Sequence, residues 1–336
     1  EHSITTANKM FAMQKWENLT ETAKAFEKSV ATRRAKHALM KRHYTLDVET
    51  PITFFSHFGE AGNEFYQALR NAQDKEQGMI DELAKRVQKI VSLEQVQKAE
   101  KELFEFTTTE GKKLTLSKAH IMDIYLLYNR KQGKKHLLYD PESEHFGNGI
   151  HQPEIKSKHI RRDSESTRLT KADLGNIISK LSDEDKAIAD KLQKTTLKLA
   201  EWGNKACLDV FGYEKFNDPN YWTIKSAKES INQTPEKNKD IARSIKNMGS
   251  AKTVEDKATN ALDIGGVFNV FNQHASDMIC YSAWLGAMED ATKLYNYTFR
   301  DENGYKTNRT FVSMLEKYAG EGGSKYYFNL LKDIQN

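Results

Sequence analysis

An all-α fold is predicted, an irregular multi-helix bundle around a buried central helix at about residues 262–299 with long basic loops. Three observations predict it. Proline and glycine are sparse, 5 and 18 among 336 residues, so few positions force the backbone out of a helix. Lys, Glu, Ala and Leu abound while β-branched runs are scarce, which argues against an all-β design. Apolar residues recur at three- and four-residue steps through most of the chain, the period of one helix face.

Residues 4–43 read as helix, with Phe11, Leu19, Ala23, Phe26 and Val30 on one stripe and no Pro or Gly between. Pro51 breaks it, because the residue before a proline is pushed out of the α region, and residues 53–71 restart with Phe54, Phe55, Phe58, Phe65, Tyr66 and Leu69. Residues 79–106 carry the clearest amphipathic pattern, from Ile80, Leu83 and Val87 through Ile90, Val91, Val96, Ala99 and Leu103, and predict one long helix. A turn is expected at 107–111, and Ser117 is placed to cap a helix over 118–130. From 131 to 170 the apolar period dissolves among Gly133, Pro141, Gly147, Gly149, Pro153 and many charges, which reads as one long loop.

Ser182, followed three residues on by Asp185, opens a helix that buries Ile188, Leu192, Leu199, Trp202, Ala206 and Val210 and stops at Gly212. Residues 215–260 read as a crossing loop with a brief extended anchor at Tyr221-Trp222-Thr223-Ile224. The helix at 262–299 is apolar nearly all round, as a central buried helix is. A helix over 311–318, a glycine break at 320–323 and a last helix from about 324 complete the chain. The expected divisions are an N-terminal helical lobe at 1–110, a helix plus basic His-rich loop at 111–170, and a C-terminal helical lobe at 171–336, with one continuous domain as the alternative.

The net charge of +4 hides an uneven distribution. Residues 28–43 hold Lys28, Arg33, Arg34, Lys36, Lys41 and Arg42 with no carboxylate, and residues 111–171 hold thirteen Lys and Arg against seven Asp and Glu. The remainder is therefore acidic. Such stretches suit phosphate backbones, and they equally suit solvated helix faces. Five histidines fall in the second stretch, His120, His136, His145, His151 and His159, so its charge is expected to grow as pH falls through about 6.5. No stretch is long and apolar enough for a membrane span. Cys207 and Cys280, far apart in sequence, make neither a disulfide framework nor a metal pair, so a reducing compartment is expected.

Catalytic signals are weak. His274, Asp277 and Tyr281 share one helix face at i, i+3 and i+7, the spacing of a proton relay or of a satisfied polar core site. The spacings of His136, His145, His151 and His159 match no familiar zinc pattern. The run Gly320-Glu321-Gly322-Gly323-Ser324-Lys325 lacks the spacing of a phosphate loop and reads better as a helix break. No HExxH, CxxC, GxSxG or GxGxxG occurs. Neither enzyme chemistry nor a cofactor or metal is expected.

Several phrases stand out in order. They are Glu49-Thr50-Pro51-Ile52-Thr53-Phe54-Phe55 with Phe58-Gly59-Glu60-Ala61-Gly62, then Leu114-Thr115-Leu116-Ser117-Lys118-Ala119-His120-Ile121-Met122-Asp123-Ile124-Tyr125-Leu126-Leu127. Trp202-Gly203-Asn204, Tyr221-Trp222-Thr223-Ile224 and the helix bearing His274 and Asp277 follow. Together, over about residues 45–297, these resemble the helical spacer regions of the large polyvalent proteins of tailed phages and prophages. The resemblance implies a piece of a long virion-associated polypeptide, packaged in the capsid and delivered with the genome into the host cytoplasm, which agrees with a chain opening on Glu1. It transfers no catalytic residue.

The expected function is a non-enzymatic module that binds DNA, RNA or a host defence nucleoprotein and protects the incoming genome, as an anti-restriction inhibitor would. The contact charges expected are Arg33, Arg34, Lys41, Arg42, Arg130, Lys134, Lys135, Arg161 and Arg162. The remainder of a longer parent chain is the other expected partner. Two alternatives stand beside it: a purely structural spacer of an internal virion protein, and an enzyme centred on His274 and Asp277.

Overall fold

A computed structural model describes residues 60–140, 147–162, 165–219, 221–224, 261–300, 303–313, 316 and 327. The helix expected at 4–43, most of the crossing loop at 215–260 and the glycine break with its following helix lie outside the described residues. In chain order the described elements are α1 (Glu60–Gln88), α2 (Leu93–Lys101), β1 (Leu103–Thr107), β2 (Lys113–Ser117), α3 (Lys118–Asn129) and α4 (Lys131–Leu137). Then come β3 (Ile150–His151), β4 (Ser166–Thr167), α5 (Lys171–Ile178), α6 (Asp183–Phe211), α7 (Val267–Tyr295), β5 (Thr298–Arg300) and β6 (Lys306–Thr310).

The described residues are mostly helical, yet not all-α. Three antiparallel two-stranded ladders, β1 with β2, β3 with β4 and β5 with β6, interrupt the helices. The long helix expected over 79–106 is two helices and a strand. Ser92 accepts from the Gln95 backbone while the Gln95 side chain accepts from the Ser92 backbone, a reciprocal cap that starts a new helix at Leu93. Phe104 and Phe106 then run in β1, with Phe106 buried, and Leu114 and Leu116 of β2 face the same core. The apolar period of this stretch is compatible with a helix and with what it forms; the cap decides. The central helix ends at Tyr295 rather than near 299, and the Asn303-Gly304 turn, with Gly304 at φ 83°, joins β5 to β6.

α7 is the axis of the molecule. It is buried along its whole length, from Val267 and Phe268 through Met278, Trp284 and Met288 to Leu294, and packs on α6, α1 and α3. Its first half meets α3, α5 and the β1–β2 hairpin in one apolar core; its second half meets Phe65 and Leu69 of α1, Cys207 of α6, Phe311 and Tyr327 in another. In the second half neighbours lie on nearly every side, while the first half keeps one polar face, Asn269, Asn272, Gln273 and Ser276, exposed. At the α1 contact Trp284 donates its indole N–H to Glu76, 2.6 Å.

The described parts of 131–170, a stretch expected as one loop, are folded. α4 buries Leu137, Leu138 bridges Leu169, and Ile150 bridges both Thr167 and Leu262. Arg130 serves as the backbone cap of α4, and the seven-residue helix is too short to show a period.

Asp173 fastens this region to the β1–β2 turn. Its carboxylate accepts from the backbone and hydroxyl of Thr109, both at 2.9 Å, and from the backbone and hydroxyl of Thr170, at 2.9 and 2.7 Å. Burial alone raises its pKa, but the hydrogen bonds from Thr170 and Thr109 outweigh it and hold the carboxyl below the ordinary aspartate value. A depressed acid contributes stability above the unfolded-state pKa and loses it as pH falls through the folded one. Asp173→Asn is expected to cost about 1–3 kcal/mol at pH 7. The gap from the parent protein should narrow in denaturant titrations once pH drops below about 4.

Candidate functional site

Two features remain after the core is accounted for, a basic lobe and a buried polar cluster. The lobe is built from the β1–β2 hairpin and residues 131–171. Gln152 joins its halves, since its side-chain amide accepts from Thr115 N–H and donates to Thr115 O, at 2.9 and 2.7 Å. Backbone pairing of Ile155 with Ile160 forms a second, shorter turn whose residues Lys156, Ser157, Lys158 and His159 are all exposed. Along β4 and its continuation Thr167 and Leu169 point inward while Ser166 and Arg168 point out.

The lobe's cations divide into those answered by the protein and those left to solvent. Lys112 meets Glu165 at 3.4 Å, Lys158 meets Glu105 at 3.9 Å, and Arg162 meets Asp263 at 2.6 Å. Lys118 lies between Glu102, 2.9 Å, and Asp185, 3.5 Å; burial opposes its charge, but the two carboxylates raise its pKa overall. Lys134 caps the ring of Tyr128 at 5.0 Å and Arg168 caps that of Tyr139 at 4.8 Å. Lys113, Lys131, Lys134, Lys135, Lys156, Arg161, Arg168 and Lys171 are exposed and make no ion pair with a described residue. Of the expected contact charges, Arg33, Arg34, Lys41 and Arg42 lie outside the described residues.

Arg130, expected among those contact charges, is 7% exposed and turned inward. Its guanidinium donates to the Trp222 carbonyl, to Asp218 at 2.7 Å and to Gln132 at 3.2 Å, and lies over the Tyr221 ring at 5.0 Å. The reason is tertiary: the segment 213–224 crosses the end of α3 and brings a carbonyl, a carboxylate and a ring to one cation.

That segment is the centre of the polar cluster. Trp222, 1% exposed, donates its indole N–H to the equally buried Asp123 at 2.8 Å. Farther back, Asn204 of α6 grips the Phe216 backbone like a neighbouring strand. Its carbonyl oxygen accepts from Lys215 and Phe216 N–H, at 3.0 and 2.8 Å, and its amide donates to Phe216 O at 2.9 Å. A side chain at Gly203 would meet the Phe216 ring at 2.8 Å and the Met278 methyl at 2.6 Å, so anything larger than glycine here obliges both neighbours to shift. Three of the phrases singled out in the sequence therefore meet here, Asp123 from the first, Gly203 and Asn204 from the second, Tyr221 and Trp222 from the third.

His274 belongs to the same cluster; Tyr281 does not. The His274 ring packs on that of Tyr221, centroids 4.8 Å apart and planes at 36°, and burial pushes the Tyr221 phenol up. Asp277, one turn on, is half-buried and accepts from Gln273 at 3.2 Å. Tyr281 points to α6, where its hydroxyl lies 3.2 Å from the Cys207 thiol and its ring meets Phe216 edge-on. Burial raises the pKa of both the Tyr281 phenol and the Cys207 thiol, so each stays protonated at neutral pH. The helix face that aligns the three residues is divided between two neighbours.

The histidines change the expected response to acid. Burial pushes His120 down to about 4, and its Nδ1 accepts from Ser117 N–H as part of the α3 cap. His136 is lowered too, by burial and by Arg130 and Lys135 nearby. His145 lies outside the described residues. His120 therefore remains neutral through pH 6.5 and His136 takes up its proton at lower pH than a free imidazole, so the growth in charge is smaller than a count of histidines implies.

Among the described residues no group of three or more His, Cys, Asp and Glu is arranged to hold a metal ion. No described helix is long and apolar enough to cross a membrane. Asp123, Asn204 and Asp218 were not singled out as site residues by pattern. Asp123 does carry a signal, a carboxylate set in the apolar run Ile121-Met122-Asp123-Ile124, where an acid is retained only with a partner. Compared with protein-family models, with curated proteins and with solved structures, the chain matches none.

Proposed function

We propose that the chain is a non-enzymatic binding module that engages nucleic acid through its basic lobe, with the packed helices as a rigid mount. One observation carries the reading: among the described residues, the lobe turns its cations that lack a carboxylate partner outward with no exposed large apolar side chain beside them. Among the described residues from 94 to 196, none of the large hydrophobic or aromatic side chains is exposed. Protein interfaces take their affinity from buried aromatic and aliphatic anchors, whereas phosphate backbones need only charge. This favours DNA or RNA over a host defence protein as the direct partner.

The setting follows from the phage-spacer resemblance: a virion-associated module that travels with the genome and shields it in the host cytoplasm. A purely architectural spacer is the second reading, favoured by the polar cluster, in which Arg130, Asp123, Asn204 and Trp222 all bond to other parts of the chain. An enzyme centred on His274 and Asp277 has less support, because His274 is held against Tyr221 and Tyr281 against Cys207. The test is capture from a bacterial lysate with and without nuclease, at low and high salt. Recovery of nucleic acid that is lost at high salt is expected. Recovery of a single protein after nuclease treatment replaces this reading with that of an inhibitor, and a blank at low salt leaves the architectural one.

A further inference from the structure

Resting on the nucleic-acid reading above, we infer that the lobe takes a duplex in preference to a single strand and holds it by phosphates, without reading bases. Proteins that bind single strands combine charge with open aromatic faces on which bases stack, each stack worth about 1–3 kcal/mol. Among the described residues, one small ring of the lobe, His159, is exposed, and the two tyrosines beside its cations are not open in this way. Tyr128 and Tyr139 are half-buried, and the face each presents is covered by the protein's own Lys134 and Arg168. An interface of charge alone favours the ligand of higher charge density, and a duplex carries one phosphate per about 1.7 Å of axis, twice that of either strand.

The mount agrees with a stiff ligand. Lys113 sits in β2 opposite Thr107, Arg168 continues β4, and Lys156 and Arg161 flank the Ile155–Ile160 pairing. The Gln152 clamp on Thr115 ties these pieces together. Cations held at set separations match a ligand whose phosphates also keep theirs, and a duplex bends appreciably only over about 150 base pairs. Of the lobe's described arginines, Arg162 is held by Asp263 and Arg168 lies over the Tyr139 ring, which leaves Arg161 as the single open fork, too few to read a sequence of bases.

The experiment is fluorescence anisotropy of the full chain with a labelled 30-base-pair DNA duplex and with either of its strands, between 50 and 200 mM salt. The duplex should bind about tenfold more tightly than the strand, and scrambling its sequence should change nothing. Eight cations at about 0.9 each limit the slope of log K against log salt to about −7, a loss of about ten-thousandfold over that range. The double variant Lys156→Gln, Arg161→Gln should make the slope shallower by about 2 at unchanged helicity. Equal or tighter binding of the strand, or dependence on sequence, overturns the duplex inference alone. An unchanged slope in the double variant places binding outside the lobe and overturns it as well. Absence of binding to both ligands at 50 mM overturns the nucleic-acid reading with it.

Discussion

Trp222→Ala is expected to destabilise the protein by about 3–5 kcal/mol, read as a shift of the urea midpoint at unchanged slope. The indole is almost wholly buried, donates to the buried Asp123, and its backbone carbonyl accepts from Arg130. Truncation thus opens a cavity and removes one donor from a carboxylate that sits in the apolar body of α3, two of the costs that make single substitutions severe. Trp222→Phe fills most of the space and loses only the hydrogen bond, so it should fall between, at about 1–3 kcal/mol. Parent-like melting of the alanine variant would mean that residues 213–224 are not held as described. Because Arg130 is an anchor of the same segment, disturbing this cluster should lower stability and leave the salt slope of nucleic-acid binding as it is.

Gly149→Ala should be as damaging, for a different reason. Gly149 has φ +70°, which side chains rarely adopt, and an added Cβ would stand 1.9 Å from the Thr167 carbonyl oxygen across the β3–β4 pairing. No rotamer relieves a clash with backbone, so the two strands must part; a loss above about 2 kcal/mol is expected, with protease sensitivity appearing in 147–170. The salt slope should fall at the same time, since Arg161 and Arg168 are carried by this unit. Gly78→Ala in α1 is the control: nothing lies within 4 Å of its added Cβ, and it should gain about 1 kcal/mol of helix stability. If both variants behave alike, 131–170 is the loose loop its composition suggests.

Where pattern and structure agree, a local interaction is responsible. Ser182 and Asp185 cap each other at the start of α6, and Gly212 stops it in the left-handed region, all within a few residues of chain. Ser117 does the same for α3, and α7 is recognisable because a helix apolar over most of its circumference has to be buried there. Where they disagree, local signals compete. Around Ser92 the apolar spacing continues while the cap interrupts, and the Asn303-Gly304 turn ends a region whose apolar content alone extends the helix. In α4 and the lobe, short elements of two to seven residues take their apolar partners from distant strands, so no period builds up within any one of them.

The candidate site divides in the same manner. Residue types in this chain, read without a structure, were enough for a mostly helical protein with two basic stretches, a central buried helix and an anchored Tyr221-Trp222 segment, since period, caps and charge are properties of neighbouring residues. Which cations face solvent was settled by folding alone. Arg130 and Lys135 lie five residues apart with the same charge; one ends beneath residues 213–224 against Asp218, the other on the surface, because a carboxylate 88 residues away reaches the first and not the second. His274 and Tyr281, aligned on one helix, part to Tyr221 and Cys207 for the same reason. A charge or a ring acquires its role from what packs against it, and the packing partners here come from far along the chain.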